Sequence, residues 1–166
     1  MPSKAIIDVE GSEAVSSVLL DLLNQFPGLP AGKKIAFSTL QETSGIGFFP
    51  TTGAALLSNV ESITGKVRQV CLYPFDIVYR ASPKSEMQRM RIKEFLDILG
   101  KWLERQPVII QGATEKLETY PPLESGNRII KAITRSTPAF LNAVYETGVE
   151  DWIISGQLTY NNEYYK

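Results

Sequence analysis

The chain contains no histidine and a single cysteine, Cys71, among its 166 residues. Without an imidazole side chain, neither a Ser-His-Asp triad, nor a Cys-His pair, nor a histidine-containing zinc site can be built. One cysteine excludes an internal disulfide, which fits a reducing compartment. The residues therefore predict no catalytic, cofactor or metal site, and we expect a protein that is not an enzyme.

The chain also lacks a strong charge imbalance and a long hydrophobic run. Its formal net charge is −1, which gives no strong field to attract nucleic acid or a membrane surface. No apolar stretch approaches the roughly 20 residues that a membrane-spanning helix needs. The apolar stretch near the start of the sequence is too short for the hydrophobic region of a signal peptide. We therefore expect a soluble, cytoplasmic protein with one domain over residues 1–166 and no membrane partner.

Two segments have the apolar periodicity of amphipathic helices. In the first, residues 12–26, the apolar stripe consists of Val15, Val18, Leu19, Leu22, Leu23 and Phe26. The second, residues 83–105, is predicted to begin after Ser82 as its N-cap, because a proline follows that serine. On its exposed side, Asp97 and Lys101 are spaced as an i,i+4 ion pair.

Other segments alternate apolar and polar residues, which is typical of strands. The longest is residues 67–79, where Pro74 indicates an edge position or a bulge because proline cannot donate to a strand ladder. Shorter candidates are residues 34–40, 128–134, 139–145 and 149–160. This order predicts an α+β fold with a mainly antiparallel central sheet of about four to five strands flanked by two main helices.

Two long irregular stretches interrupt the pattern, residues 41–66 and 106–127. Irregular connections of this length are uncommon in a small domain and are usually functional or mobile. We interpret the first as an arm or hairpin-like excursion, and we expect both stretches to project from the body.

Several short motifs that resemble chemical sites have simpler interpretations. Thr64-Gly65-Lys66 lacks the preceding glycine and the following Ser or Thr of a phosphate loop, so a tight turn is favoured. Glu150 and Asp151 are neighbours on a predicted strand, so they point to opposite faces and cannot act as an acid–base pair. A solvated strand entry is the expected environment of both carboxylates. Cys71 lies in an apolar strand, which favours a small buried residue over a nucleophile.

Two surface clusters are also interpreted as structural. The acidic tail argues against base stacking by its tyrosines, and packing or an interface contact is favoured for Tyr160, Tyr164 and Tyr165. A solvated helix face is favoured over phosphate binding for the basic patch of Arg89, Arg91 and Lys93.

Four features between residues 66 and 160 carry a resemblance to a known family. They are the run Phe75-Asp76-Ile77-Val78-Tyr79-Arg80, the helix with Phe95, Leu99, Trp102 and Leu103, the sequence Pro122-Leu123-x-x-Gly126, and a final strand from Trp152-x-Ile154 to Tyr160. In these features the chain resembles the minor capsid family of tailed phages of Gram-positive bacteria, which is similar to tail terminator, or tail-completion, proteins. Thr137-Pro138-Ala139-Phe140 departs from the family's Gly-Tyr pair, which leaves open the register of the last two strands.

The resemblance implies a structural virion protein, assembled in the host bacterial cytoplasm. It implies a hexameric ring that ends the tail tube and docks beneath the head connector, with copies of itself, the tail tube protein and the head-completion or connector protein as partners. DNA passes through the lumen of such a ring without specific nucleic-acid binding. Neither a cofactor nor a metal is implied.

If the two irregular stretches are interface arms, as the resemblance implies, the candidate interface residues are Phe48, Phe49, Leu56, Leu57, Tyr120 and Leu123. Three other functions stay open from the sequence. They are a head-completion or neck adaptor protein, a phage-encoded protein that binds host proteins, and a small enzyme that uses only carboxylates, serine or lysine.

Overall fold

The computed structural model describes residues 12–51, 55–123 and 128–166, and these contain two helices and nine strands. In chain order they are α1 (Ser12–Asn24), β1 (Ile35–Phe37), β2 (Gly45–Pro50), β3 (Ala55–Glu61), β4 (Lys66–Ala81), α2 (Glu86–Leu103), β5 (Val108–Ile110), β6 (Ala113–Glu115), β7 (Ile129–Arg135), β8 (Phe140–Val144) and β9 (Glu150–Tyr165). This is the predicted α+β class.

The centre of the fold is the antiparallel pair of β4 and β9, which pair along their whole length from Lys66 opposite Tyr165 to Ala81 opposite Glu150. Alternate side chains of a strand lie on opposite faces. One face of this pair is therefore buried, and it contributes Cys71, Tyr73, Phe75, Ile77, Ile154, Leu158 and Tyr160 to the core.

Shorter strands extend the sheet on both sides of this pair. On one side, β2 and β3 lie end to end along β4, and β1 adds to β2 in parallel. On the other side, β7 and β8 lie end to end along β9. The described sheet thus has seven strands, all pairs but one antiparallel, where the sequence predicts about four to five. The registers of β7 and β8 on β9 are now defined, each with one irregularity.

Pro74 lies where the neighbour of β4 changes. Pairing with β3 ends at Leu72, and pairing with β2 begins at Phe75. On that side Pro74 accepts a hydrogen bond from Thr51 N through its carbonyl oxygen, at 3.2 Å. Proline has no N–H, so the reciprocal hydrogen bond to Thr51 O cannot form. Because β4 has neighbours on both sides, the prediction of an edge position is wrong for the strand, and Pro74 lies instead where the neighbour changes from β3 to β2.

Both helices pack on the same face of the sheet. Buried residues of α1 and α2 belong to one core cluster with the inward side chains of β4 and β9. The ring of Phe26, just after α1, lies 5.6 Å from Phe95 and 5.4 Å from Trp102 of α2. The opposite sheet face carries no described helix. No helix in the described part of the chain is long and apolar enough to cross a membrane.

Two details of α2 differ from the sequence prediction. The N-cap is Ser85, whose side chain accepts a hydrogen bond from Gln88 N, so the helix starts three residues after Pro83. Asp97 pairs with Lys93 at 2.6 Å. Asp97 also accepts a hydrogen bond from Ala139 N at 2.8 Å, so its carboxylate is shared between Lys93 and the backbone beside β8.

The two predicted arms are only partly excursions. Within residues 41–66, β2 is a strand of the central sheet, and the exposed part is β3 with its turn. Within residues 106–127, the described part forms the β5–β6 hairpin and a loop whose Leu123 is buried in the core. Residues 124–127 lie outside the described residues. The prediction that the second stretch projects is therefore wrong at Val108, Tyr120 and Leu123, which pack in or against the core, whereas β5 and β6 pair only with each other in the described part of the chain.

Candidate interaction surfaces

The β3–β4 hairpin closes through a tight turn. Ser62 N donates to Lys66 O at 2.8 Å, and Gly65 N donates to Ser62 O at 3.0 Å. Gly65 has a φ of 84°, a conformation that glycine adopts without steric cost. The sequence Thr64-Gly65-Lys66 is therefore a hairpin turn, as predicted, and it forms no phosphate loop.

This hairpin presents a continuous exposed segment, in which every residue from 56 to 64 is exposed. Its large apolar side chains are Leu56, 44% exposed, Leu57, 59%, Val60, 62%, and Ile63 at the turn, 106%. Leu56 and Leu57 were predicted from the sequence as interface residues and are accessible. The prediction omits Val60 and Ile63, although the β-branched residues flanking a Thr-Gly turn signal a hairpin there.

The outer edge of β3 has no strand partner among the described residues. Natural edge strands are usually blunted by lysine, proline or bulges, because free N–H and C=O groups attract another strand. β3 has an irregularity between Leu56 and Ser58, but it carries no lysine or proline, and its one charge is Glu61 at the end. The edge is therefore weakly protected against strand addition.

The opposite edge of the sheet, formed by β7 and β8, also has exposed apolar side chains. The exposed large hydrophobic side chains on β7 and β8 are Ile129, Phe140, Leu141 and Val144. The molecule thus has two different exposed apolar edges, one on β3 and one on β7 and β8. Two different patches are what a head-to-tail contact between copies requires.

Phe48 is a core residue, so the prediction that it faces a partner is wrong. Its side chain is fully buried, with ring centroids 5.5 Å from Phe37, 6.2 Å from Tyr73 and 5.7 Å from Phe75. The register of β2 on β4, in which Phe48 lies opposite Ile77, turns its side chain to the helix side.

Phe49, the next residue, lies on the opposite, helix-free face and is half-buried. Its ring lies against Gly47, where an added Cβ would come within 2.6 Å of the ring. Glycine at this position therefore lets the aromatic ring cover the strand.

Tyr120 and Leu123 hold the second irregular stretch against the body. The Tyr120 hydroxyl donates to Leu103 O at 2.8 Å and accepts from Ile133 N at 3.2 Å. Burial raises the pKa of the Tyr120 phenol, and Arg105 lies 5.7 Å over the ring. Leu123 is 4% exposed. The prediction of an interface role is therefore wrong for Leu123, and Tyr120 is a structural anchor.

The helix-free face of β4 and β9 has ion pairs at both ends. Glu163 lies 3.2 Å from Lys66 and 3.5 Å from Arg68, and Arg80 pairs with Asp151 at the other end. Between them, the one formal charge on the two strands is Asp76, which accepts a hydrogen bond from Ser155 at 2.6 Å. The other outward side chains of this strip are Val70, Leu72, Pro74, Val78, Ile153, Gln157, Thr159 and Asn161.

Asp151 belongs to a bidentate ion pair on this face. Arg80 donates through Nε and Nη2 to the two carboxylate oxygens at 2.7 and 2.8 Å, and the Tyr145 hydroxyl donates to the same carboxylate at 2.8 Å. These bonds, those of Arg80 above all, hold the pKa of Asp151 below its usual value. Asp151 is buried.

Glu150 makes an equivalent pair on the helix side. Arg89 of α2 donates through Nη2 at 2.9 Å and through Nε at 3.0 Å, and Trp152 Nε1 donates at 3.2 Å. The Arg89 bonds lower the pKa of Glu150. The prediction of a solvated strand entry is wrong for both carboxylates, but the prediction that they face opposite sides is confirmed.

The structure also places the cysteine and the basic patch that the sequence singles out. Cys71 is buried, as predicted. Two of the three cations of the predicted basic patch are paired, Arg89 with Glu150 and Lys93 with Asp97. Residues 12–51, 55–123 and 128–166 contain no cluster of three His, Cys, Asp or Glu side chains that could hold a metal ion.

A groove of about 560 Å³ lies between α2 and β5. Its apolar lining comes from Met90, Ile98, Val108 and Ile109, and charged side chains of α2 line the same groove. Met90 and Ile109 are strongly exposed, at 62% and 70%. This groove is the third accessible apolar surface, and it is concave where the hairpin is convex.

No family model matches the chain, and no curated protein matches it. The functional interpretation therefore depends on the surfaces described above and on the sequence resemblance. The strongest surface feature is the exposed hairpin segment of residues 56–64, on the opposite side of the sheet from the apolar edge of β7 and β8.

Proposed function

We propose that the chain is a structural virion protein of a tailed phage, which assembles with its own copies into a ring, ends the tail tube and joins the tail to the neck. The observation that carries this proposal is the exposed apolar hairpin edge, with Leu57, Val60 and Ile63 on its surface. Its partners are copies of the chain, the tail tube protein and the connector-side protein of the neck.

Two surfaces of different composition support assembly in a ring. A head-to-tail contact joins one patch to a different patch, and it produces a ring when the rotation between neighbours closes. The edge at β3 and the edge at β7 and β8 lie on opposite sides of the same sheet. This arrangement allows each copy to contact two neighbours at once.

The sequence resemblance supports the scaffold part of the proposal. The family-like residues Phe75, Ile77, Leu99, Trp102 and Ile154 are all buried in the core. The positions that carry the resemblance therefore pack α2 on the sheet. The proposed assembly surfaces are formed by other residues.

Burial of the hairpin side chains would contribute a driving force for assembly. Fully burying a Leu, Val or Ile side chain contributes about 1.5–3 kcal/mol, and a few such residues can dominate an interface. In each contact between neighbouring copies, the residues around these side chains then need only to exclude water and to leave no charge unpaired.

Mass photometry of the purified protein, followed by negative-stain electron microscopy, tests the proposal. A hexamer has a mass of about 111 kDa, six times the chain mass of 18.5 kDa. Leu57→Lys is expected to reduce ring formation strongly, because it places a charge in a desolvated contact. Val144→Lys, at similar exposure on β8, shows whether the second edge is also needed.

The location of the protein in phage particles is tested by mass spectrometry and immunogold labelling of purified virions. Labelling at the head–tail junction is expected. A strict monomer that is absent from virions would overturn the proposal. Binding to the connector without binding to the tail tube would instead support a neck adaptor, and capture by host proteins alone would support a host-binding role.

A further inference from the structure

We propose that the groove between the α1–β1 loop and the β1–β2 loop binds the terminal phosphate group of a small molecule, either inorganic phosphate or a nucleotide. The inference goes beyond the proposed assembly role and does not depend on ring formation. The groove has a volume of about 420 Å³, and its lining residues lie within residues 32–36 and 39–46. Its lining combines positive charge with many hydrogen-bond donors.

The charged side chains in this lining are those of Lys33 and Lys34, and both are exposed. Neither forms an ion pair with another described residue. Glu42 is the one carboxylate in the sequence between residues 32 and 46, and it does not line the groove. The groove between α2 and β5 differs, because charges of both signs line it. The two lysines therefore give the groove beside β1 a local positive field that attracts an anion.

The backbone of the β1–β2 loop adds donors to the same groove. Within the described part of the chain, none of the amide N–H groups from Thr39 to Ser44 donates a hydrogen bond. Four residues of this loop segment line the groove, namely Thr39, Leu40, Gln41 and Ser44. Successive backbone N–H groups that are left without acceptors in one loop are a common anion-binding arrangement. The hydroxyl of Thr39 is a further donor.

Hydrogen bonds to the rest of the sheet hold the β1–β2 loop in place. Ser38 N donates to Phe48 O at 2.8 Å, and Arg80 Nη1 donates to Gln41 O at 3.1 Å. Arg80 is itself held by its ion pair with Asp151. Because these bonds order the loop before a ligand arrives, binding costs less conformational entropy.

A terminal phosphate matches these donors better than a carboxylate does. It presents three strong acceptor oxygens and nearly two negative charges, whereas a carboxylate has two oxygens and one charge. Lysine binds phosphate as a point charge, without the planar geometry that arginine imposes. The lining contains no aromatic ring on which a base could stack. The groove is therefore expected to recognise the phosphate group and not a base.

Isothermal titration calorimetry of the full-length chain with inorganic phosphate and with adenosine monophosphate tests the site. Both ligands are expected to bind, because both carry the same phosphate dianion. Similar affinities would identify the phosphate group itself as the ligand, whereas tighter binding of the nucleotide would identify a nucleotide site.

Two double variants connect this binding to the groove. Lys33→Gln with Lys34→Gln is expected to weaken binding by about tenfold or more, since each lysine contributes a charge-assisted hydrogen bond. Lys84→Gln with Lys131→Gln is the matched control, because it removes the same charge at two exposed lysines outside the groove. The control is expected to bind as the wild type does. Equal weakening in both double variants would show that only the overall charge attracts the anion, and would overturn the site.

Hydrogen exchange locates the bound ligand. The amides of residues 39–44 should exchange rapidly in the free protein and more slowly at saturating phosphate, because the ligand supplies their missing acceptors. Binding without this protection, or no binding of either small ligand, would overturn the inference. Binding of single-stranded DNA through Lys33 and Lys34, with neither small ligand bound, would indicate a nucleic-acid contact in its place. Mass photometry of the same samples measures ring formation separately, so a failure of this site leaves the proposed function standing.

Discussion

Glu150 and Asp151 are consecutive on β9, yet their carboxylates bind arginines on opposite faces of the sheet. Glu150 binds Arg89 of α2 on the helix side, at 2.9 Å, and Asp151 binds Arg80 of β4 on the helix-free side, at 2.7 Å. Strand geometry alone produces this separation, because neighbouring side chains alternate between faces. The start of β9 is thereby fixed both to α2 and to the end of β4.

The first prediction concerns Asp151→Asn. The loss of the charged partner leaves the Arg80 guanidinium only partly satisfied, so the free energy of unfolding at pH 7 is expected to fall by roughly 2–3 kcal/mol. Asp21→Asn, on the exposed side of α1, is the control and is expected to change it by less than about 0.5 kcal/mol. Urea denaturation of both variants measures the difference.

The pH dependence of this effect has a definite sign. The folded pKa of Asp151 is lowered by its bonds to Arg80, so its stabilising contribution is complete above the unfolded pKa of about 3.9 and is lost as the pH falls through the lower folded value. The difference in the free energy of unfolding between wild type and Asp151→Asn should therefore become smaller from pH 7 to pH 3. If this difference does not change with pH, the ion pair is not the cause of the lower stability of Asp151→Asn.

The second prediction identifies the N-cap of α2. Ser85→Ala removes the acceptor of the Gln88 N–H and is expected to cost about 1 kcal/mol of stability. Ser82→Ala changes the serine that the sequence pattern favours as the cap, and it is expected to cost less than about 0.5 kcal/mol. Thermal unfolding of the two variants, followed by circular dichroism, distinguishes the sites. The reverse order of effects would place the helix start at Pro83.

Local patterns in the sequence predict the two helices and the inward face of β4 correctly. The helical period and the strand alternation depend only on near neighbours in the chain, so residues such as Leu19, Leu99 and Tyr73 are assigned to the core without knowledge of the fold. The Gly-rich start of β2 carries no such period. Its burial depends on pairing with β4, some 30 residues away in sequence, so Phe48 is missed as a core residue.

Side-chain anchors between distant segments are also invisible in the sequence. Asn24, at the end of α1, accepts a hydrogen bond from Ile35 N at 2.8 Å and donates to Ile35 O at 3.0 Å. This bond fixes β1 beside α1. Tyr120 acts similarly between α2 and β7. The sequence places Asn24 in a predicted helix and Tyr120 in an irregular stretch, and only the tertiary arrangement shows which distant backbone groups their side chains bind.

The third prediction concerns the Tyr120 staple. Tyr120→Phe leaves Leu103 O and Ile133 N without this partner and is expected to cost about 1–3 kcal/mol. Tyr165→Phe, at an exposed tyrosine near the end of β9, is the control and should be nearly neutral. Hydrogen exchange of the Ile133 amide should also accelerate in Tyr120→Phe. Unchanged exchange and stability would mean that the loop of residues 116–123 is held by its apolar contacts alone.

The last prediction separates the fold from the assembly surface by means of two residues that the sequence assigns to one interface. Phe48→Ala creates a cavity among three aromatic rings, so it is expected to cost about 3–5 kcal/mol and to lower the Tm by roughly 10 °C. Leu57→Ala removes an exposed side chain and is expected to leave the stability of the monomer within about 0.5 kcal/mol.

Assembly should respond in a different pattern. Leu57→Ala is expected to weaken ring formation while the protein stays fully folded, because its side chain becomes buried only between copies. Differential scanning calorimetry and mass photometry on the same samples report the two effects separately. If Leu57→Ala lowers the Tm as much as Phe48→Ala does, β3 is part of the folding core, and the hairpin is not available to a neighbour.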